Sequence, residues 1–224
     1  MNQHYKVVIT GATGGIGREI VKELDTRSEL IILVGLIKDA LEDLKSELMT
    51  KRVFIVEGDI NELHVREKVK FIAEREGGVN LLINNAGIGD YFLFEDQDPE
   101  IIKDILDVNL KAPMLLTQTL LPLLVKEPKA EIINTGSIFG YIGYPGFVAY
   151  CASKFGLRGF TQSLRRELSD TTVKVRYFAP RATRTTFNTD NITQMNKKLG
   201  NAMDSPEKVA KKFITFLSNN NYQK

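Results

Sequence analysis

Short apolar runs alternate along the chain with amphipathic stretches of helical periodicity. The apolar runs are predicted strands: Lys6–Thr10, Leu30–Gly35, Arg52–Glu57, Val79–Asn84, Ala130–Thr135 and Val173–Ala179. The amphipathic stretches are predicted helices: Gly15–Thr26, Asp39–Met49, Glu62–Glu76, Pro99–Val125 and Val148–Ser169. Most of the strands are continuous apolar runs, which is typical of strands covered on both faces. The pattern predicts a parallel sheet between two layers of helices, connected by right-handed crossovers.

The segment Ala182–Asp204 interrupts this alternation. It is polar, rich in Thr and Asn and only weakly periodic, so we expect a mobile segment there. A last helix is predicted after it, because Ser205 suits the N-cap position and Pro206 the first helical position. No shift in composition marks a second domain, and residues 1–224 are therefore expected to form a single domain.

Composition narrows the class of protein. The 30 Lys and Arg residues against 28 Asp and Glu give a net charge of +2 without a long block of one sign, which favours neither nucleic acid nor a membrane as partner. A single cysteine excludes an internal disulfide and fits a reducing compartment. With only two histidines in addition, no structural metal site is expected. The expectation is a soluble, cytoplasmic protein.

A glycine-rich loop, Thr10–Gly17, lies between the first predicted strand and the first predicted helix. In that position glycines permit a tight turn and let backbone amides approach a pyrophosphate at the helix N-terminus. Because Gly14 and Gly15 are adjacent, the loop reads both as T-G-x-x-x-G-x-G and as T-G-x-x-G-x-x-G. The loop predicts a dinucleotide site, with a plain turn as the alternative.

Tyr150 and Lys154 form the second candidate site. Residues at i and i+4 share one helix face. A tyrosine with a pKa near ~10 is a poor base at neutral pH, and a nearby lysine charge lowers that pKa. The pair can therefore move a proton on or off an alcohol oxygen, although a solvated helix face would give the same spacing.

Together with Asn84-Asn85-Ala86-Gly87 and Ser137, these motifs closely resemble the short-chain dehydrogenase/reductase family. The resemblance covers about Lys6 to Leu217. The second reading of the glycine loop resembles the extended branch of the family, which includes sugar-nucleotide epimerases and dehydratases, but chain length and Asn84–Gly87 favour the short branch. The resemblance implies a Rossmann-type, doubly wound α/β fold of three layers with strand order 3-2-1-4-5-6. Relatives usually continue into a seventh strand after the last helix, whereas a six-stranded sheet is expected here.

The resemblance implies a role for four residues in the interconversion of a ketone or aldehyde and an alcohol. Ser137 would hydrogen-bond the substrate oxygen, and Tyr150 would donate or accept its proton. Lys154 would lower the pKa of Tyr150 and hold the nicotinamide ribose. Asn109 would bend its helix and anchor a water that relays protons to Lys154. Taken singly, Ser137 could be a turn residue and Asn109 an ordinary polar residue of a helix.

The resemblance also implies a set of cofactor-binding residues. It comprises Gly11, Thr13, Gly15, Ile16, Gly17, Lys38, Asp59, Ile60, Asn85, Ala86, Gly87, Tyr150, Lys154, Pro180 and Thr185. No acid stands at Gly35, where a carboxylate would bind the ribose 2′-OH of NAD, so NADP is slightly favoured over NAD. Leu36 occupies the place of an arginine frequent in NADP-dependent relatives. Arg18 and Lys38 are candidate 2′-phosphate partners or solvated helix-end charges, and Asp59 is either an adenine ligand or a helix N-cap.

The sequence departs from the family at Arg181, where most relatives have a glycine, so the turn there is expected to have a different shape. Our hypothesis is that Arg181 or Arg184 meets an anionic part of the substrate or the cofactor; solvated charges on a lid are the alternative. The lid at 182–204 would select the substrate, whose identity stays open.

Four further expectations concern residues and surfaces around this site. Tyr141 and Tyr144 are expected to line or support the substrate pocket, and Cys151 to be a small packing residue. A homodimer is expected through the helices Pro99–Val125 and Val148–Ser169.

Two other functions compete with an oxidoreductase. One is a non-catalytic dinucleotide-binding regulator or scaffold with the same fold, and the other is a lyase or isomerase of the extended type. The presence of Asn109, Ser137, Tyr150 and Lys154 together favours the enzyme, since a protein that only binds a dinucleotide does not need all four.

Overall fold

In the computed structural model, which describes residues 4–185, 187, 190–198 and 202–219, the described residues form a six-stranded parallel sheet between two layers of helices. The strands are β1 Tyr5–Thr10, β2 Ser28–Gly35, β3 Val53–Glu57, β4 Leu81–Asn84, β5 Ala130–Thr135 and β6 Val173–Phe178. The helices are α1 Gly15–Asp25, α2 Lys38–Ser46, α3 Leu63–Arg75, α4 Pro99–Leu106, α5 Ala112–Leu124, α6 Val148–Glu167, α7 Asp190–Lys198 and α8 Pro206–Ser218. The strand order is β3-β2-β1-β4-β5-β6, which confirms the predicted Rossmann-type order.

The strand order reverses between β1 and β4: the strands after β1 are added on one side of it, and those from β4 onwards on the other. Ile9 of β1 pairs with Leu33 of β2 on one side and with Ile83 of β4 on the other. In such a sheet the carboxyl ends of the two central strands open a crevice, which is where doubly wound proteins bind ligands. The glycine loop follows β1 and Asn84–Gly87 begins at the end of β4, so both lie at this crevice.

Alternate side chains of each strand enter two hydrophobic cores on opposite faces of the sheet. Val7 and Ile9 pack with Ile20 of α1 and Phe213 of α8. Val8 packs on the other face, in the core that includes residues of α3, α5 and α6. Because both faces are buried, the strand has no polar side, and this explains the continuous apolar runs in the sequence.

The structure corrects two predicted elements. The helix predicted over Pro99–Val125 is divided into α4 and α5 by a π-helical turn, Asp107–Lys111. The segment Ala182–Asp204, expected without a regular element, contains α7. The weak periodicity there was sufficient because Ile192 and Met195 lie one turn apart and are both buried. The other predicted elements differ only at their ends.

The last helix, α8, begins as predicted and is anchored at its end by a buried arginine. The hydroxyl of Ser205 accepts the N–H of Lys208 at 3.3 Å, which confirms the N-cap. Arg176 of β6 pairs with Glu131 of β5 at 3.0 Å and donates to the carbonyl oxygen of Asn219 at 3.1 Å. No strand follows α8 within the described residues, so β6 is the edge of the sheet there. No described helix is long and apolar enough to cross a bilayer.

Candidate active site

The glycine loop and Asn84–Gly87 are joined by hydrogen bonds at the crevice. The hydroxyl of Thr10 accepts the N–H groups of Asn85 and Ala86, both at 3.0 Å. The side-chain amide of Asn85 donates to the carbonyl oxygens of Thr10 and Gly11 at 3.2 Å. The neighbouring Asn84 donates to Asn134 of β5 at 2.8 Å, so this motif links adjacent strands. These hydrogen bonds therefore fix the loop and the strand ends relative to each other at the bottom of the crevice.

Glycines in the loop are required by space and by conformation. Gly11 has a φ of 61°, and a Cβ there would lie 2.9 Å from the Cα of Ala86. A Cβ at Gly17 would lie 2.1 Å from the carbonyl oxygen of Gly11. No side chain caps α1 at Gly14, and no acidic residue lies in its first turn. The helix N-terminus thus faces the crevice without a competing carboxylate, and it fits a pyrophosphate.

Residues after β6 reach the same loop. Pro180 follows β6 at the carboxyl edge of the sheet, and Thr185 packs directly against Gly15. A Cβ at Gly15 would lie 2.6 Å from the Cγ2 of Thr185. On the other side of the loop, a Cβ at Gly35 would lie 3.6 Å from the hydroxyl of Thr13. The structure therefore brings Gly15 and Thr185 together and places Thr13 on the other side of the loop, next to Gly35, and half-buried Ile16 packs on the core.

The end of β2, where the adenosine ribose of a dinucleotide would lie, is apolar and open. Leu36 and Ile37 are 71% and 64% exposed, and Lys38 is the exposed first residue of α2. Arg18 forms an ion pair with Glu47, so Lys38 is the better placed of the two candidate cations.

Asp59 follows β3 at the same edge. Its carboxylate accepts the N–H of Asn61 at 2.8 Å, which closes a local turn. The N-cap of α3 is Glu62, so the alternative that Asp59 caps this helix is wrong. Ile60 beside it is buried in the core.

Tyr150 and Lys154 lie on the first two turns of α6 and are buried, with 8% and 4% of their surface exposed. A solvated helix face is therefore excluded. The side-chain nitrogen of Lys154 donates to the carbonyl oxygen of Thr135 at 3.0 Å and lies 5.6 Å from the centre of the Tyr150 ring. Ser137 follows β5, and its hydroxyl acts on the Tyr150 phenol as a hydrogen-bond partner that lowers the phenol pKa. The structure thus places Ser137, Tyr150 and Lys154 next to one another.

Burial controls the protonation of this group. It raises the pKa of Tyr150, against a smaller opposite effect of the hydrogen bond with Ser137. It lowers the pKa of Lys154 to about 8. The lowering of the Tyr150 pKa expected from the nearby lysine is therefore wrong for this structure, because desolvation of the phenol raises its pKa. At neutral pH Tyr150 holds its proton and can donate it.

Asn109 lies in the π-helical turn and is fully buried. Its side chain donates to the carbonyl oxygen of Ile88 at 2.8 Å and accepts the Ile88 N–H at 2.9 Å. A Cβ at Gly87 would lie 3.2 Å from the Asn109 oxygen and 3.5 Å from the Lys154 nitrogen. Asn109 and Lys154 therefore meet around Gly87, and the change of helix type fits the bend expected at Asn109.

A group of side chains around Tyr150, here called the aromatic cluster, was largely missed in the sequence. It consists of Tyr91, Phe139, Tyr144, Phe147, Tyr150, Cys151, Phe187, Ile192 and Met195. Phe187 contacts the Tyr150 ring with centroids 5.6 Å apart, and a Cβ at Gly89 would lie 2.5 Å from its ring. The density of aromatic residues between 139 and 150 was the available signal.

The neighbours of Tyr150 named in the sequence lie in different places. Cys151 packs in the aromatic cluster, as expected, and its burial raises the pKa of its thiol. Tyr144 belongs to the same cluster. Tyr141 is half exposed and instead packs edge-on against Tyr177.

The base of the lid is closed by a short ladder. The N–H of Arg184 donates to the carbonyl oxygen of Asp204 at 3.0 Å, and the Asp204 N–H to that of Ala182 at 2.8 Å. Lys208 and Lys212 both pair with Asp204 at 2.7 Å and hold the pKa of its carboxyl at about 2. The side chains of Arg181 and Arg184 are exposed. No non-glycine residue in the described ranges has a positive φ, so Arg181 does not use the left-handed conformation.

Comparison with known proteins agrees with this fold. Residues 5–197 match the model of the short chain dehydrogenase family, so the chain belongs to the short-chain dehydrogenase/reductase family of oxidoreductases. Members of this family generally use NAD or NADP. Among the described residues, no three His, Cys, Asp or Glu side chains form a group that could hold a metal ion.

Three similar proteins illustrate the relationship. The mouse Dehydrogenase/reductase SDR family member 7B is 31% identical over 87% of this chain and 62% of its own length, so this chain spans less than two thirds of that relative. Nodulation protein G of Rhizobium sp. (strain N33) is 35% identical over 78% of this chain and 71% of its own. The crystal structure of a short-chain dehydrogenase from Streptomyces avermitilis superposes with a TM-score of 0.85 at 23% identity, covering 97% of this chain and 85% of that one.

Proposed function

We propose that the protein is an NAD(P)-dependent oxidoreductase that interconverts a ketone or aldehyde and an alcohol, with Tyr150 as the acid and base. The observation that carries the proposal is the buried pair of Tyr150 and Lys154, with Ser137 next to Tyr150, beside the glycine loop. No described carboxylate pairs with the amine of Lys154, and a buried lysine without such a partner is costly to stability. A cost of this kind is typical of functional sites.

Each of these residues has a separate task in the proposed reaction. A bound nicotinamide supplies or accepts the hydride, so the protein has only to position the substrate and manage one proton. The Ser137 hydroxyl orients the substrate oxygen. Tyr150 gives its proton to that oxygen during reduction and takes it back during oxidation. The Lys154 ammonium favours the phenolate that remains, and Asn109 holds the backbone at Ile88 next to it.

We propose that the cofactor lies across the crevice, with NADP slightly favoured over NAD. Its pyrophosphate would bind at Gly11–Gly17 and beside Thr185, with the nicotinamide near Pro180. The adenosine would lie between Lys38 and the Asp59–Ile60 turn. The absence of a carboxylate at Gly35 supports NADP, because such a carboxylate would repel the 2′-phosphate. Lys38 is the side chain that would meet this phosphate.

The aromatic cluster supports a substrate that presents an apolar group next to its carbonyl. Phe187 covers Tyr150, and Ile192 and Met195 of α7 pack behind it. A compound with a ring or branched chain would bury apolar surface there, which contributes about 25 cal/mol per Å². The exposed side chains of Arg181 and Arg184 at the lid base stay candidates for an anionic part of the substrate or cofactor.

We propose a single domain over 1–224, a cytoplasmic location and a homodimer formed through α4, α5 and α6. Support for the dimer comes from apolar side chains exposed on these helices, namely Leu106, Met114 and Phe155. Light scattering on the purified protein should give the mass of two chains. The mass of one chain would contradict the dimer and leave the proposed activity unaffected.

The activity is tested by mixing the protein with NADPH or NADH and a panel of ketones and aldehydes, while the absorbance of the reduced nicotinamide is followed. We expect oxidation of the cofactor, fastest with aromatic or branched carbonyl compounds. Cofactor binding without turnover on any carbonyl would favour the non-catalytic regulator. Recycling of bound NAD with a sugar nucleotide would favour the lyase or isomerase.

A further inference from the structure

Tyr177 of β6 lies behind the proposed catalytic group. Its hydroxyl accepts the N–H of Ser137 at 3.2 Å and lies 3.3 Å from the carbonyl oxygens of both Ser137 and Lys154. A phenol has one proton and two lone pairs, so the single proton is shared between these two carbonyls. Tyr177 therefore bridges the loop that carries Ser137 and the helix that carries Lys154.

The Ser137 loop leaves room for this hydroxyl at two glycines. A Cβ at Gly136 would lie 1.9 Å from the Cζ of Tyr177, and a Cβ at Gly140 would lie 2.0 Å from its hydroxyl oxygen. Neither glycine has a positive φ, so space and not backbone conformation requires them. Gly136, Gly140 and Tyr177 are thus a matched set around Ser137.

The same loop has a second attachment to α6. The side chain of Lys154 donates to the carbonyl oxygen of Thr135, two residues before Ser137. Tyr177 fixes the loop at Ser137 itself. With the two attachments together, the Ser137 loop is held next to Tyr150, where the Ser137 hydroxyl lowers the pKa of the phenol. Displacements of about 1 Å in such a group are enough to cost a large factor in rate.

We propose that Tyr177 is a positioning residue, which holds Ser137 against Tyr150 through the backbone of the Ser137 loop and touches neither substrate nor cofactor. This inference rests on the proposed function, because Ser137 and Tyr150 are its reacting groups. Burial raises the pKa of Tyr177 to about 12. The phenol therefore keeps its proton, and the bridge stays intact, at neutral pH.

The Tyr177→Phe variant removes the hydroxyl and keeps the ring. We expect kcat to fall about tenfold while the KM for the cofactor changes less than about twofold, because only alignment is lost. The acid limb of the pH profile for alcohol oxidation should move to higher pH, because the hydrogen bond with Ser137 lowers the pKa of Tyr150 and is now weakened. Tyr5→Phe, at the amino end of the central strand β1, is the matched control and should change neither quantity. An unchanged kcat and pH profile in Tyr177→Phe would overturn the proposal.

Hydrogen exchange of the Ser137 amide, followed by NMR, reads the bridge without any turnover. Tyr177→Phe should lower the protection of this amide about tenfold, because its acceptor is gone. Unchanged protection would overturn the proposal even if activity fell. A wild-type protein that turns over no carbonyl compound would remove the proposed function, while the exchange result would still decide whether Tyr177 holds the loop.

Gly136→Ala tests the same contact from the other side, because the new methyl group displaces Tyr177. It should reproduce the loss of kcat and the shift of the pH profile, including in the case that Tyr177→Phe does not fold. In a Tyr177→Ala background, Gly136→Ala should add no further loss, since the clash is absent. Additive losses would contradict the proposal, and thermal melting checks that each variant is folded.

Discussion

The side-chain nitrogen of Lys154 lies 5.6 Å from the centre of the Tyr150 ring, and both residues are buried. Desolvation disfavours the charged form of both groups, because burial raises the pKa of the phenol and lowers that of the amine to about 8. Of the two groups, only Lys154 therefore has a pKa close to neutral pH. In the proposed reaction Tyr150 is protonated at neutral pH and can donate this proton, while the positive charge of Lys154 stabilises the phenolate that remains.

The buried Lys154 makes the stability of the protein depend on pH. In the unfolded chain this lysine holds its proton up to a pKa near 10.5, whereas in the folded protein it loses it near pH 8. Between these values the unfolded state binds more protons, so the free energy of unfolding rises with pH. The gain of wild type over Lys154→Met should approach ~1.4 kcal/mol per pH unit in this window. Urea unfolding at several pH values measures it, and a difference that does not change with pH would contradict the buried, depressed lysine.

Phe187 should control which carbonyl compounds the protein accepts. Phe187→Ala removes the ring that covers Tyr150, so we expect the KM for a bulky aromatic ketone to rise about tenfold while that for a small ketone changes little. Steady-state kinetics with both ketones measure the split. Phe71→Ala, on the exposed face of α3, is the control and should affect neither. Equal changes for the two ketones would argue against a substrate contact at Phe187.

Lys38 should discriminate between the two nicotinamide cofactors. Lys38→Ala removes the cation proposed to meet the 2′-phosphate, so the KM for NADPH should rise about tenfold while that for NADH stays within about twofold. Lys45→Ala, at the other end of α2, removes the same charge and should leave the KM for NADPH and the KM for NADH unaltered. If wild type prefers NADH, or if Lys38→Ala alters both cofactors alike, the preference for NADP is wrong.

Arg176 should be the main electrostatic anchor of α8. Arg176→Ala leaves Glu131 buried without its partner and frees the C-terminal carbonyls of the helix, at an expected cost of about 3–5 kcal/mol. The exposed pair of Lys103 and Glu100 is the comparison, and Lys103→Ala should change the free energy of unfolding little. Chemical denaturation measures both. Similar small losses in the two variants would show that the buried pair does not anchor the helix.

The fold could be predicted because the buried strands are visible in the sequence as continuous apolar runs. Val7, Val8 and Ile9 are apolar in succession since alternate side chains enter the two cores. The helix α7 was missed because only two of its side chains, Ile192 and Met195, are buried in the described structure, and that leaves little periodicity to read.

The candidate site was only partly predictable. The order of its motifs along the chain identified Ser137, Tyr150 and Lys154, whereas their protonation depends on burial that only the folded structure supplies. Phe187 and Tyr177 approach the site from distant parts of the chain, so no local spacing indicated them. The glycines at 136 and 140, on either side of Ser137, leave the space that Tyr177 fills, and they were the sequence signal that a side chain packs against this loop.

Wild type and Tyr150→Phe, compared for cofactor binding and for carbonyl-dependent oxidation of NADPH or NADH, test the central claim most directly. The account predicts that both proteins bind the cofactor with similar affinity and that the variant loses about 10²–10⁴-fold in kcat, because one phenolic proton is removed and the ring is kept. A variant that oxidises the cofactor as fast as wild type would contradict Tyr150 as the acid and base of the reaction.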